Sequence, residues 1–572
     1  MSVANSALRI STPGSRDLPR DSARRGGRAR IVALGALCLV AAGLARPAEG
    51  GAPSAAAAGE TNRIVAADVL ATAGPLNRMY NFCVGAGRAN EGLRADWQRQ
   101  LRRVHAECGF RYIRFHGLFD DDMGVYQEDR RGRPVYNWQY VDELFDFLTG
   151  IGMKPFVELG FMPTALASGT QTIFWYRANV TPPKDYGRWE AFVAAFVRHC
   201  TERYGADEVR SWYFEVWNEP NLDGFWMGNP QQLPWAKWAP GAMAEYFKLY
   251  AATARAVKSV DATYRVGGPA TAGEGWIDEM LAFGAARNAP VDFISTHSYA
   301  TSSGHLDESG HAGTVFSPDR NAITGGVKAV RAKIAHSGLP NLPLHYTEWS
   351  ASYTPSDPIH DNFVSAAFIL DKIRHIGAAA DSMSYWTFTD IFEEAGPRMT
   401  PFHGGFGLLN YQDLPKPAYF AYQFLNRLGD TELTCGDPEA FVSRNGRNAV
   451  QALFWDFTIT HPGPAVTDQE YYVQDNPPKP RPAVELQLSG LAAGRYELTA
   501  RRIGYRVNDV QAAWRDLGSP SQLTRAQVET LRHAASGAPV LVESVEVGAD
   551  GCFTRSFPMR ENDVWLVELN QP

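Results

Sequence analysis

Between residues 79 and 390 the chain repeats one alternation eight times, a short β-rich run followed by a longer segment. The runs are MYNFCVG (79–85), RYIRFHG (111–117), KPFVELGF (154–161), SWYFEVWNE (211–219), YRVGGP (264–269), VDFISTHSY (291–299), LPLHYTE (342–348) and MSYWTFTD (383–390). Between them lie stretches of helical period such as LRADWQRQLRRVHAEC (93–108), YGRWEAFVAAFVRHCTERY (186–204) and IHDNFVSAAFILDKIRHIG (359–377). Apolar residues every second position read as strands, and apolar residues every three to four as amphipathic helices. Eight strand–helix units over about 350 residues predict a (β/α)8 barrel. A doubly wound open sheet is the alternative that shares this alternation.

Past PAYFAYQFLNRLG (417–429) the period changes to two, as in AVQALFWDF (449–457), AVELQLSG (483–490), GRYELTARRIG (494–504), VLVESVEV (540–547) and VWLVELN (564–570). Such runs predict an antiparallel β-sandwich. A helical insert at about 508–535 interrupts it, and the Pro-rich loop 468–482 carries no pattern that assigns it a role. The fold expected is thus α/β, a barrel over 78–429 and a sandwich over 430–572. Residues 46–77 are read as a linker with an N-terminal strand that joins the sandwich.

The first 30 residues hold seven Arg and two Asp, and IVALGALCLVAAGLA (31–45) follows. A basic region, an apolar core of about fifteen residues and small residues at Gly43-Leu44-Ala45 read as a signal peptide over 1–45, hence export to the periplasm or medium. The apolar core is short for a membrane span. Net charge is −7, so no basic footprint for nucleic acid or anionic lipid exists. Of six cysteines Cys38 lies in the signal region; the other five show no CxxC spacing and leave room for at most one or two bridges. The sequence leaves monomer and homo-oligomer both open.

Polar residues cluster at the ends of the predicted strands: His116, Asn218, Glu219, His297, Tyr299, Glu348 and Asp390. In a barrel those ends converge on one mouth, where active sites sit. Glycoside hydrolysis needs two carboxyl groups flanking the scissile bond. Glu219 in FEVWNEPN (214–221) and Glu348 in HYTEWS (345–350) end the fourth and seventh runs and would face each other across the mouth. Asn218 offers an amide for a sugar 2-hydroxyl, a contact that strengthens in the transition state. Glu215, in mid-strand, reads as an interior packing partner. His105, His199, His360 and His375 read as surface or packing residues. No GxSxG, HExxH, GxxxxGK[ST] or complete GxGxxG motif is present.

FEVWNEPNL and HYTEWSASY resemble the acid/base and nucleophile motifs of glycoside hydrolase family 39, retaining enzymes on (β/α)8 barrels that include β-D-xylosidases and α-L-iduronidases. Further matches are IRFHGLFDDDMGVY (113–126), DFISTHSYAT (292–301), YWTFTDIFEEAG (385–396), FHGGFGLLN (402–410) and VNDVQAAWRDLGSPSQLT (507–524). The resemblance implies Glu219 as acid/base, Glu348 as nucleophile, and Asn218, His297 and Tyr299 around the sugar. Trp386 would wall the sugar, and Glu393 or Glu394 would reach hydroxyls at its closed end. His116 and Phe225 carry over as a sugar contact and an aglycone stacker. Asn221 in WNEPN looks like the bacterial xylosidase motif, and Asp390, Glu393 and Glu394 would make an acidic pocket end that repels a uronate. The expected activity is release of terminal β-D-xylose from xylo-oligosaccharides, with no cofactor or metal. Another β-glycosidase specificity (glucose, galactose), an iduronidase and a non-catalytic carbohydrate-binding protein are the alternatives.

Overall fold

The computed structural model describes residues 63–226, 240–306, 312–446, 448–463 and 465–571; the predicted signal peptide lies outside them. These residues form one compact unit. Eight parallel strands close into a barrel: β1 (Cys83–Arg88), β2 (Tyr112–His116), β3 (Lys154–Leu159), β4 (Tyr213–Val216), β5 (Arg265–Thr271), β6 (Phe293–Tyr299), β7 (Leu344–Ser350) and β8 (Ser382–Tyr385). Each pairs with its sequence neighbour, and Tyr385 on β8 pairs with Val84 on β1 to close the ring. Closure excludes the open-sheet alternative. Two edges differ from the sequence reading. Met79–Asn81 forms a single 3₁₀ turn below the barrel, and the eighth strand ends at Tyr385, so Trp386 and the residues after it leave the sheet.

The helix Tyr186–Tyr204 shows how the outer ring is specified. Asp185 caps it by accepting from Arg188 N at 3.1 Å, and Gly205 at φ 86° ends it. Trp189, Phe192, Val193, Phe196, Val197 and Cys200 recur at helical spacing and are all buried against the barrel. Fully burying each large side chain contributes roughly 1.5–3 kcal/mol.

The sandwich packs a seven-stranded sheet on a three-stranded one. Val442, Phe454, Leu498 and Val567 from the first meet Val65, Leu486 and Phe557 from the second. The chain enters here: Arg63–Asp68 pairs in parallel with Pro480–Ser489, and Thr72–Pro75 forms an edge against Thr431–Leu433, so residues 63–75 supply one strand to each sheet. Two helices, Val510–Asp516 and Arg525–Ala534, interrupt the sandwich and lean on the barrel, with Trp514 5.4 Å from Phe402. Cys83, Cys108, Cys200, Cys435 and Cys552 are all free thiols, so none of the bridges the count allowed forms among the described residues. No helix among those residues is long and apolar enough to cross a membrane.

Candidate active site

Side chains on alternate positions of the barrel strands point inward, and at the upper level these are charged. Arg114 on β2 is completely buried and serves three carboxyl groups: Glu215 at 2.6 Å, Glu348 at 2.6 Å and Glu158 at 2.9 Å. It also donates to Asn218 Oδ1 at 2.9 Å. The planar fork of a guanidinium suits this use, since its five donors hold several acceptors in fixed directions. Tyr299 donates to the other oxygen of Glu348 at 2.7 Å. Glu348 is therefore gripped at both oxygens, by a guanidinium on one and a phenol on the other.

Irregularities in the sheet aim these residues. Register shifts flank Glu348 on both neighbours, between Thr296 and His297 on β6 and between Tyr346 and Trp349 along β7. They let Thr347 and Glu348, adjacent in sequence, both face the interior. After β4 the backbone turns through positive φ at Trp217 (70°) and Glu219 (42°), conformations that non-glycine residues adopt at a cost. Asn221 holds that turn, donating to Ala272 O and accepting from Ala272 N, each at 2.9 Å. Gly85 makes room for the pocket wall: a Cβ there would lie 2.4 Å from Trp386 Cε3.

A chain of hydrogen bonds fixes one proton. Thr347 Oγ1 donates to Glu215 Oε1 at 2.8 Å, so its hydrogen is committed. It must then accept from His297 Nε2 at 3.2 Å, which places the hydrogen of the neutral ring on Nε2. His297 Nδ1 is left with a lone pair 2.9 Å from Glu219 Oε1, and that contact requires a proton on Glu219. The electrostatics agree. Burial pushes Glu219 up to about 7, with Glu158 adding to the rise and Arg114 opposing it. Burial pulls His297 down to about 4 and His116 down to about 3, so both rings are neutral.

Glu219, His297 and Glu348 each bring a donor atom within 4.8 Å of the others. That spacing could hold a divalent ion, but Arg114 already supplies the positive charge and Glu219 carries a proton. The donor set suits a substrate between two carboxyl groups better than a metal. Both glutamates open on a cavity of about 660 Å³. Its inner walls are His116, Trp386, Glu394 and Phe406, and its outer rim includes the partly exposed Leu222 and Tyr353.

Residues 64–553, the barrel and most of the sandwich, match the family model described as Glycosyl hydrolases family 39. The chain belongs to family 39. A β-xylosidase of Geobacillus stearothermophilus is 39% identical over 499 residues, 86% of this chain and 92% of its own length. One of Caldicellulosiruptor saccharolyticus is 41% identical over 470 residues, 81% and 89% of the two chains. The crystal structure of a monomeric β-xylosidase from Caulobacter crescentus CB15 superposes with a TM-score of 0.83 at 42% identity, covering 89% of this chain and 99% of that one.

Within this family 39 barrel the residues singled out from sequence fall into two groups. Asn218, Glu219, Tyr299, Glu348, Trp386, Glu394, His116 and Phe225 all line the cavity. His297, Glu393 and Asp390 do not. His297 is fully buried behind Glu219 and acts through it. Glu393 turns away to Arg88 at 3.0 Å and Arg94 at 3.1 Å, and Asp390 is buried against Lys416 at 2.9 Å. The acidic pocket end read from three carboxyls is therefore one carboxyl, Glu394. Neighbouring residues in a loop point to opposite sides, and the basic partners of Glu393 lie far off in sequence. Sequence reasoning missed Arg114, Glu158 and Thr347. Arg114 stands two positions before His116, on the same strand face, and that spacing was the available signal.

Proposed function

We propose that this family 39 chain is a retaining exo-β-xylosidase in which Glu348 attacks and Glu219 supplies the proton. The observation that carries the reading is the pairing of a protonated carboxyl with a charged one, with oxygens within 4.8 Å across the cavity. Retaining glycosidases hold their carboxyl groups about 5–5.5 Å apart, whereas inverting ones leave room for a water at about 6.5–9.5 Å. Glu348, oriented by Arg114 and Tyr299, attacks the anomeric carbon while the Glu219 proton passes to the leaving oxygen. Esterification of Glu348 removes its charge. Glu219, now ionised, takes a proton from water, which attacks the same carbon and releases the sugar with its configuration retained. The buried Nδ2 of Asn218, which has no partner among the described residues, can donate to the sugar 2-hydroxyl.

The relatives named as β-xylosidases support xylose as the sugar. So does the cavity wall, which carries no Lys or Arg among the described residues and so lacks a cation to pair with a uronate. Xylose has no C6 hydroxymethyl, and Trp386 with Glu394 closes the inner end. A panel of nitrophenyl glycosides tests the reading. The β-xyloside should exceed the β-glucoside in kcat/KM by at least about tenfold, the effect of one extra group in a filled pocket. Equal rates on xyloside and glucoside would overturn the sugar assignment, and no hydrolysis of any glycoside would overturn the activity. Residues 1–45 are read as an export signal, which N-terminal sequencing of exported protein would test.

A further inference from the structure

Two loops form part of the outer wall of the cavity: the hairpin after β6, which begins at Thr301, and the segment after β7, which carries Tyr353 and Pro355. Both are held from behind by the sandwich domain. A short helix, Asp468–Tyr471, starts there at a Thr467–Glu470 capping box. Asp468 Oδ1 accepts from Phe316 N at 2.9 Å, and Gln469 Oε1 accepts from Thr314 N at 3.2 Å. Thr314 Oγ1 in turn donates to Asp357 Oδ2 at 2.5 Å, and Asp357 Oδ1 accepts from Ile359 N at 3.2 Å. The approach is close: a Cβ on Gly313 would sit 2.6 Å from Gln469 Oε1.

Asp357 and Asp468 lie at the centre of this contact, and both are fully buried. Their carboxyl groups face each other within hydrogen-bonding reach, and Asp468 Oδ2 has no donor among the described residues. Two carboxylates at that distance cannot both be charged without severe repulsion, so one proton between them satisfies the orphaned oxygen. Burial and the Asp468 charge hold Asp357 well above the usual carboxylate range. The other titratable groups facing the pair do not replace that proton. His461 Nδ1 accepts from Gly463 N at 3.3 Å, which leaves the ring hydrogen on Nε2, 3.2 Å from Asp468 Oδ1 rather than Oδ2, with Tyr471 packed on the ring at 5.0 Å. The Tyr472 phenol is buried and held well above its ordinary value, and His360, pulled down to about 4, is neutral and turned to Gly404 O at 2.9 Å.

We propose that Asp468 positions the outer wall of the cavity through a proton it shares with Asp357, so that the sandwich domain governs how the leaving-group end of the substrate is held. The sign follows from the raised carboxyl. The latch is complete at acid pH and is lost as pH rises through the pair's second ionisation, when two like charges push the helix from the loops.

Asp468→Asn, Asp468→Ala and the wild type separate the outcomes. An Asn amide donates to ionised Asp357 while its oxygen still accepts from Phe316 N, so the latch no longer needs the proton. The KM of the wild type for xylobiose should rise about tenfold from acid to alkaline pH, and that of Asp468→Asn should stay flat. Asp468→Ala should show the high KM at every pH, with kcat within about twofold of wild type. Hydrogen exchange at the Thr314 and Phe316 amides, read on the full chain without substrate, should follow the same pattern. If Asn and Ala raise KM and exchange alike, no proton is shared; if neither changes them, the contact does not position the wall. Either result overturns the proposal. The kinetic readout rests on the xylosidase reading, but exchange does not, so failure of that reading and failure of the latch remain distinguishable.

Discussion

Inside the barrel, one step of two residues along a strand changes the chemistry of the interior. On β2 it leads from Tyr112 to Arg114, on β3 from Phe156 to Glu158, on β4 from Tyr213 to Glu215, and on β7 from His345 to Thr347. The lower members form an aromatic plug, with Phe156 stacked on Tyr213 at 4.9 Å and the His345 ring 4.9 Å from Tyr213. The upper members are all buried, whereas Tyr112 of the lower set is half-buried, and they carry a guanidinium and two of its three carboxyl partners. Water is largely excluded from both layers. In the plug exclusion contributes stability directly, because apolar surface leaves water. In the upper layer it strips charges of solvation, and the arrangement persists only because each charge meets a partner. What that layer yields is a set of fixed protonation states, among them the proton on Glu219.

The sharpest way to break the comparison is to remove one residue from each level. Glu348→Ala should cost about 10^4-fold in activity and leave the fold intact, since a covalent catalyst loses its nucleophile. Phe156→Ala should do the reverse, lowering stability by about 3–5 kcal/mol while the folded enzyme keeps most of its kcat. Azide assigns the roles within the upper level. With a dinitrophenyl xyloside, Glu219→Ala plus azide should give the β-azide, because the glycosyl-enzyme still forms and azide needs no base. Glu348→Ala plus azide should give the α-azide by direct attack, and proton NMR distinguishes the two. Reversed products would reverse the assignment.

Arg114→Met comes next in size. It leaves Glu158 and Glu215 buried without their cation, and breaking such a network costs about 3–5 kcal/mol. Loosening Glu348 should also lower kcat/KM by about 10²-fold, the usual penalty for a misplaced group. The sign of the pH effect is fixed as well. Glu219 must be protonated to act as acid, so kcat/KM falls as pH rises through about 7. Arg114 opposes the rise in that value, and its removal should move the alkaline limb above 7. A limb that stays put or moves down would show that Arg114 does not act on Glu219.

The two levels were not equally legible in the sequence. Eight β-rich runs and the polar residues at their ends disclosed the barrel and both glutamates, because strand period and chain order fix which ends converge. The upper layer was harder to read. Arg114 looks like any charged residue in a short strand until its partners at 158, 215 and 348 are brought together by closure of the barrel. The aim of Glu348 depends on register shifts that no period records, and the opposite facing of Glu393 and Glu394 depends on a loop. Burial of Glu219 is the first cause of its raised value, which spacing alone could not supply. The sandwich pattern was readable, as was an N-terminal strand within 46–77 that joins it, but which strands Arg63–Asp68 and Thr72–Pro75 pair with, and in which direction, was not.

A smaller effect sharpens the contrast on a single strand. Thr347→Val removes the hydroxyl that fixes the His297 tautomer and that donates to Glu215. An orphaned buried acceptor should cost about 1–3 kcal/mol in thermal or denaturant unfolding. The ring can then carry its hydrogen on Nδ1 and donate to ionised Glu219, which favours the carboxylate. The alkaline limb of kcat/KM should therefore move below 7, the opposite direction to Arg114→Met. An unchanged limb would mean that the Thr347 hydroxyl does not hold the proton chain.

Two residues below, His345→Phe should do least. Its ring sits among Phe82, Phe156, Tyr213 and Phe293 with centroids 4.9–5.5 Å away, and burial pulls it down to about 3, so it is neutral throughout the working range. Nδ1 lies 2.8 Å from Ser382 Oγ, while Nε2 has no partner among the described residues. Phenylalanine keeps the shape, removes the unpartnered nitrogen and leaves Ser382 without its acceptor or donor. These contributions oppose each other, so the net change in stability should stay within about 1.5 kcal/mol. The plug holds no charge that the Glu219 proton could sense, so kcat/KM and its pH limbs should match the wild type. A shifted limb in His345→Phe would show that the two levels are electrostatically coupled, and the division between a structural floor and a reactive ceiling would fail.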